Sequence, residues 1–169
     1  LKKIGSQAVS LHTKKDNVIE IIPEQKELGF VGIPNKIDKE TIFEKLKNNM
    51  IPIISPLGLG ENKQTYNING DHAAGAVAKS LKSRRLLLMT NVEGVLNREK
   101  KLISEINSSK IIEMIEDKTI TEGMIPKINT CLDAVKNDVT AVGIIDGRKS
   151  RSVLFELFSD KGSGTLIRK

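Results

Sequence analysis

Apolar and polar positions alternate along the chain in short runs that predict strands and amphipathic helices in mixed order, with no internal repeat and no low-complexity stretch. The first residues read like the last turn of a helix leading into a strand over residues 7–11, and residues 17–22 (Asn-Val-Ile-Glu-Ile-Ile) form a second strand. Residues 28–33 read as a third, with Pro34-Asn35 as the turn that ends it. Asp38 opens a helix whose stripe is Thr41, Ile42, Phe43 and Leu46, and Asn48-Asn49 closes it. Residues 50–57 are almost wholly apolar, the pattern of a central strand covered on both faces. Pro52 and Pro56 then have to stand at its ends, because proline cannot donate to the ladder. Turn chemistry at 58–63 and a returning strand at 64–69 make a hairpin.

A helix over 71–81 leads into a second buried strand at 85–90, and strand–helix–strand order predicts a crossover and a largely parallel sheet. A polar, hairpin-like excursion (97–106) precedes a helix over 108–116 with Ile111, Ile112 and Ile115 on one face. A loop at 119–124 follows, and Pro126 opens a helix over 126–137, proline being favoured in the first turn. The third buried strand is 139–145, with Asp146-Gly147-Arg148 as its exit turn. A helix over 151–158 and a glycine loop, 159–166, running into a last strand complete the chain.

Composition narrows the class. With 169 residues, 38% hydrophobic and 28% charged, the chain is sized and composed as one globular domain. The net charge of +6 raises nucleic acid as a partner, but the cations are interleaved with acids. One tyrosine and four phenylalanines are also too few for stacking platforms. The expectation is an anionic small molecule, with no nucleic-acid partner. No apolar run is long enough for a membrane span, and the basic start lacks a signal peptide's apolar core. The single Cys131 lies within a helical pattern and reads as a core residue in a reducing, cytoplasmic setting. Leu1 in place of methionine hints at a chain cut from something longer.

The chemistry concentrates in a few segments. Asn67, Asn69 and Asp71 alternate with Ile68 and Gly70, a strand-like spacing that puts all three on one side, and the small residues Ala73, Ala74, Gly75 and Ala76 follow. Asn69 or Asp71 equally suits a plain helix cap. Lys127 sits in a first helical turn, where a cation faces the positive end of the dipole. It is either a solvated lysine or one that acts with the helix N-terminus on an anion. Loop 90–96, at the C-terminal edge of a strand where open α/β sheets bind ligands, and loop 119–124 would complete such a site. Asp71 would hold the lysine or a magnesium ion in place. No Walker A or GxGxxG pattern occurs.

Five segments occur together in one family: Asn67-Ile68-Asn69-Gly70-Asp71, residues 88–95, Glu122-Gly123-Met124-Ile125-Pro126-Lys127, Ile145-Asp146-Gly147-Arg148 and residues 157–165. From about residue 28 onward the chain resembles the N-acetyl-L-glutamate kinases of the amino-acid kinase superfamily. The resemblance implies an α/β fold, a three-layer α/β/α sandwich with a mainly parallel sheet of the carbamate kinase-like kind. Residues 1–169 would be the C-terminal portion of such a domain, with the strand and hairpin of about 50–70 on the substrate side and 71–169 binding nucleotide. The implied reaction moves the γ-phosphoryl group of ATP to the side-chain carboxylate of N-acetyl-L-glutamate, in arginine biosynthesis. ATP and Mg2+ are the implied cofactors, the metal riding on the phosphates with no protein ligand.

By resemblance, Lys127 stabilises the transferring group and Asp71 organises the cations around it. Asn67 and Asn69 bind acetylglutamate. Thr90, Asn91, Val92, Glu93, Gly94, Val95, Leu96, Thr119, Ile120, Thr121, Gly123 and Met124 border the nucleotide. Glu156 and Gly162 match an L-arginine effector site, whose usual histidine is Gly143 here. The family's Asp is Asn91, its Ala is Gly70, and its phosphate-contacting lysine and glycine-rich loops have no counterpart. Family members are homo-oligomers. The competing expectations are a non-catalytic nucleotide-binding or regulatory piece and another amino-acid or carbamate kinase.

Overall fold

The computed structural model describes residues 1–61, 63–120 and 123–169, in two compact units, Leu1–Leu81 and Lys82–Lys169.

The first unit contains β1 (Ala8–Leu11), β2 (Ile19–Pro23), β3 (Gly32–Ile37), α1 (Lys39–Lys47), β4 (Ile51–Ile54), β5 (Leu57–Leu59), β6 (Thr65–Asn67) and α2 (Gly70–Ser80). β1 and β4 pair in parallel as a two-stranded sheet, and the second sheet has the order β3-β2-β5-β6. Its core gathers Leu11, Val18, Ile19, Ile21, Ile42, Tyr66, Ile68 and Ala73. The α1 start is as expected: Asp38 accepts from the Thr41 amide at 3.1 Å and from its hydroxyl at 2.7 Å. Those bonds, the hydroxyl's first, hold the Asp38 carboxyl below its ordinary range.

Prolines account for two departures. The third strand runs over Gly32–Ile37 instead of 28–33 and takes in Pro34, while Lys26–Leu28 form a 3-10 turn. β3 is an edge strand, and its register against β2 shifts between Glu20 and Ile21, beside the Ile21–Pro34 pair. Edges and bulges are where a sheet tolerates proline. Pro52 likewise lies inside β4 and not at its end. The Ile51 and Ser55 amides donate to Gln7 and Leu11 at 2.7 and 3.1 Å, so the intervening Pro52 nitrogen faces the edge that carries no strand. Ile51 and Ile53, which share one face of β4, are 47% and 46% exposed, so residues 50–57 are not a strand covered on both faces.

The second unit contains β7 (Arg85–Thr90), β8 (Glu105–Asn107), α3 (Ser108–Glu116), α4 (Ile125–Lys136), β9 (Ala141–Asp146), α5 (Ser152–Phe158) and β10 (Gly164–Arg168), with sheet order β7-β9-β10-β8. All six β9 residues are buried, including Val142 and Ile144 at 0% exposure, which demands cover on both faces. The carboxylate of Glu156 on α5 lies against Gly143, and α4 packs on β9 and β10 through Ile128, Cys131, Ala134 and Val135. Cys131 is thus the core residue its pattern suggests. The buried face of α3 is Ile111 and Met114, whereas Ile112 is 49% exposed.

Among the named strand pairings four are parallel and three antiparallel, so the α/β class holds with a mixed sheet in the second unit. The helix over Gly70–Ser80 does not join paired strands; the parallel crossover runs instead from β7 to β9 by way of α3 and α4.

Candidate functional site

In the first unit the polar triplet splits between strand and helix. Asn67 is the exposed last residue of β6, and its amide donates to the Phe30 carbonyl at 2.8 Å. Asn69 is the N-cap of α2, its side chain accepting from the amides of Asp71 at 2.9 Å and His72 at 3.3 Å. Asp71, half-buried, is already in the first helical turn. The expected shared face therefore ends at Asn67, because Gly70 begins the helix and rotates Asp71 away from the strand register. Asp71 still gains from its place, since a carboxylate there complements the helix dipole.

The second unit holds a cleft of about 500 Å³. One wall is the loop leaving β7. Gly94 is buried there at φ 146°, and a Cβ on it would lie 2.5 Å from Thr165 Oγ1 and 2.7 Å from Leu102 Cδ1. Beside it the Val95 amide donates to Thr165 Oγ1 at 2.8 Å, and that hydroxyl donates to the Ile103 carbonyl at 2.7 Å. Thr165 thus pins the loop to β10 and to the hairpin that folds back through the Leu96–Leu102 bridge. The facing wall is the exit of α3, where the Ile120 amide donates to Met114 at 2.9 Å.

Seven of the expected nucleotide residues come together on this cleft: Val92, Gly94, Val95, Leu96, Thr119, Ile120 and Met124. Thr90, Asn91, Glu93 and Gly123 do not line it, and Thr121 lies outside the described residues. Glu93 points elsewhere, its carboxylate accepting from Lys149 Nζ at 2.6 Å. Asn97, Arg98, Lys100, Asp117 and Lys118 also line the cleft and were missed. The polar excursion after loop 90–96 signals Asn97, Arg98 and Lys100, whereas Asp117 and Lys118 carry no signal beyond their place just after the helix over 108–116.

Met124 also begins the approach to α4. Asp38, Asn69 and Asn107 cap α1, α2 and α3 with a side chain, but α4 has no side-chain cap and no acid in its first turn. Pro126 stands second in the helix and the half-buried Lys127 third. An uncapped N-terminus with a cation beside it is arranged to attract an anion.

Next to the loop, β9 ends in a tight turn. The buried Asp146 accepts from the Arg148 amide at 2.9 Å and from its Nε and Nη2 at 3.0 and 2.9 Å, while the Gly147 amide donates to the Thr90 carbonyl at 2.8 Å. The Arg148 side chain, then its amide, holds the Asp146 carboxyl down to about 2 from its ordinary 3.8. A carboxyl lowered on folding contributes stability above its unfolded pKa and loses it as pH falls through the folded one. The contribution is therefore complete above about pH 4 and gone below about pH 2. Asp146→Asn is expected to lower the denaturation midpoint at pH 7, with the gap from wild type closing between pH 4 and pH 2. A gap independent of pH would show that the ion pair does not supply it.

The amino acid kinase family profile matches residues 1–146. The chain belongs to the amino acid kinase family. It is 54% identical over 169 residues to the acetylglutamate kinase of Pelagibacter ubique (strain HTCC1062), covering all of this chain and 59% of that one. The chain thus spans about 59% of the length of that curated relative. A Streptococcus mutans UA159 protein, smu.665, superposes with a TM-score of 0.81 at 34% identity, over 99% of this chain and 63% of that one. Giardia carbamate kinase shares the fold, with a TM-score of 0.72 at 21% identity over 99% and 64% of the two chains.

In this member of the family the two residues expected from the resemblance to an effector site, Glu156 and Gly162, lie together. Glu156 is buried on α5, its Oε2 accepting from the Ser163 amide at 2.9 Å, while Arg85 donates to its carbonyl at 3.0 Å. A Cβ on Gly162 would lie 2.8 Å from Glu156 Oε2, and one on Gly143 3.3 Å from Oε1. No helix among the described residues is long and apolar enough to cross a membrane, and no group of three His, Cys, Asp or Glu there could hold a metal.

Proposed function

We propose that this chain forms the nucleotide-binding portion of an acetylglutamate kinase, which transfers the ATP γ-phosphoryl group to the side-chain carboxylate of N-acetyl-L-glutamate. The observation that carries the reading is the cleft of about 500 Å³ between the β7 exit loop and residues 117–120 with Met124. Its volume lies within the range of small-molecule sites. Apolar Val92, Val95, Leu96 and Ile120 suit a base, and Arg98, Lys100 and Lys118 suit phosphates.

The acceptor carboxylate, with a reference pKa of about 4.3, is ionised at neutral pH and requires no general base. The residues then have to orient and neutralise, the main demands of a loose in-line phosphoryl transfer. Lys127 would supply a fixed positive charge together with the uncapped α4 N-terminus. Asp71 would supply a carboxylate held at the α2 start, and Asn67 and Asn69 would offer amides to the substrate. Asn69 spends its oxygen on the helix cap, which leaves its NH2 group for a ligand. Magnesium, implied by the family, takes oxygen ligands, which the nucleotide phosphates would supply.

An arginine effector has less support than the nucleotide, because Gly143 stands where the family pattern carries histidine.

Titrating the purified chain with Mg-ADP in a calorimeter tests the site, with saturable one-site binding expected. No heat at millimolar nucleotide would reject nucleotide binding by this chain.

A further inference from the structure

Arg98 stands in a wall between two recesses. Beside the cleft of about 500 Å³ lies a second of about 640 Å³, and Asn97, Arg98, Asp117 and Thr119 line both. From the turn after Leu96, the Arg98 guanidinium reaches across to the segment beyond α3. Its Nη2 donates to Asp117 Oδ2 at 2.8 Å and its Nε to Thr119 Oγ1 at 3.3 Å.

The acceptor is organised without Arg98. The Thr119 amide donates to Asp117 Oδ1 at 2.9 Å, and Thr119's bonds, ahead of Arg98's charge, hold the Asp117 carboxyl below its ordinary range. Asp117 thus stays ionised with or without the guanidinium. Arg98 is loosely held: its side chain is 69% exposed against 37% for Asp117. Ion pairs that exposed add little to stability, so leaving one costs little. Around the pair stand Lys100 and Lys118, both in left-handed turns at φ 58° and 59°, above the apolar Val92, Val95, Leu96 and Ile120.

We propose that Arg98 is a nucleotide-contacting residue that selects for phosphorylated ligands, resting on Asp117 in the free protein and passing its guanidinium to phosphate oxygens when a nucleoside di- or triphosphate enters. The inference rests on the nucleotide reading of the cleft. Carboxylate and phosphate compete for one planar fork, which fits either in bidentate fashion. That competition gives the two partners opposite signs: losing Arg98 removes a phosphate contact, and neutralising Asp117 frees the contact for use. A merely structural pair would give both losses the same sign.

The test is calorimetry and NMR titration of the 169-residue chain with Mg-ADP and with adenosine, for wild type, Arg98→Ala, Arg98→Lys and Asp117→Asn, with thermal unfolding of each as a check on folding. Arg98→Ala is expected to weaken Mg-ADP roughly tenfold, the scale of one charge-assisted hydrogen bond, while adenosine changes less than about twofold. Arg98→Lys falls between, and Asp117→Asn tightens Mg-ADP by about two- to threefold, the scale of releasing an exposed ion pair. Equal losses for the two ligands in Arg98→Ala, or weaker Mg-ADP binding in a folded Asp117→Asn, would overturn the proposal. Wild-type chain that binds no Mg-ADP overturns the nucleotide reading and the proposal with it. Wild-type binding that Arg98→Ala leaves unchanged overturns the proposal alone.

Discussion

Lys127→Ala is expected to cut phosphoryl transfer by roughly 10²–10³-fold, the usual cost of removing one preorganised stabiliser of transition-state charge. A chimera in which this chain replaces the matching 59% of the Pelagibacter ubique kinase supplies an assay host, read as ATP-dependent phosphorylation of N-acetyl-L-glutamate. Stability should move in neither direction by more than about 1 kcal/mol, because a cation in a first helical turn opposes the helix dipole. Lys127 is only half-buried. Mg-ADP binding by the chain alone gives a second readout and should weaken in the same variant. A chimera that keeps near-normal turnover with Lys127→Ala would remove Lys127 from the chemistry and leave it a surface lysine. A fall in turnover matched by a fall in the unfolding midpoint would assign it to the fold.

Local patterning made much of this fold readable. The bounds of α3 follow from its apolar spacing and from Asn107, whose side chain caps the helix. The Asp38 cap and the buried run of β9 are equally plain in sequence. An isolated residue type misleads where its neighbours decide. Pro34 suggests a stop, yet it sits in an edge strand beside a register shift that absorbs the missing donor. The apolar run 50–57 suggests two covered faces, but cover depends on partners that no run of letters reveals. Ile112 shows the same limit within one helix: its neighbours Ile111 and Met114 face the sheet, and its own direction is set by rotation about the axis. At the site, loop 90–96 is legible because it follows a strand. The pairing of Arg98 with Asp117 is not, since 19 positions separate them and only the fold brings them into contact.

Gly164→Ala is expected to be the most destabilising methyl group that can be added to the second unit. Gly164 opens β10 opposite Ile145 in the antiparallel pair with β9. A Cβ there would overlap the Ile144 carbonyl oxygen and stand 2.9 Å from Ile144 C and 3.0 Å from Ile145 Cα. These are backbone atoms of a strand buried at every position, so neither a rotamer change nor a small shift relieves the contact. Overpacking of this kind costs typically 1–3 kcal/mol and more against rigid backbone, so about 3 kcal/mol is expected from a total that rarely exceeds about 15. Gly70→Ala makes the contrasting control. Nothing lies within 4 Å of a Cβ at Gly70, which starts α2, and alanine there should be neutral or stabilise by up to about 1 kcal/mol. Urea unfolding of both variants measures the difference. The effect should also reach the cleft, because the next residue, Thr165, holds the Val95 amide and the Ile103 carbonyl. A β10 pushed off β9 shifts that hydroxyl, so Mg-ADP affinity should drop in Gly164→Ala even where most molecules remain folded. Equal urea midpoints for the two variants would show that β9 and β10 separate more easily than their burial implies, and that Thr165 does not set the wall of the cleft.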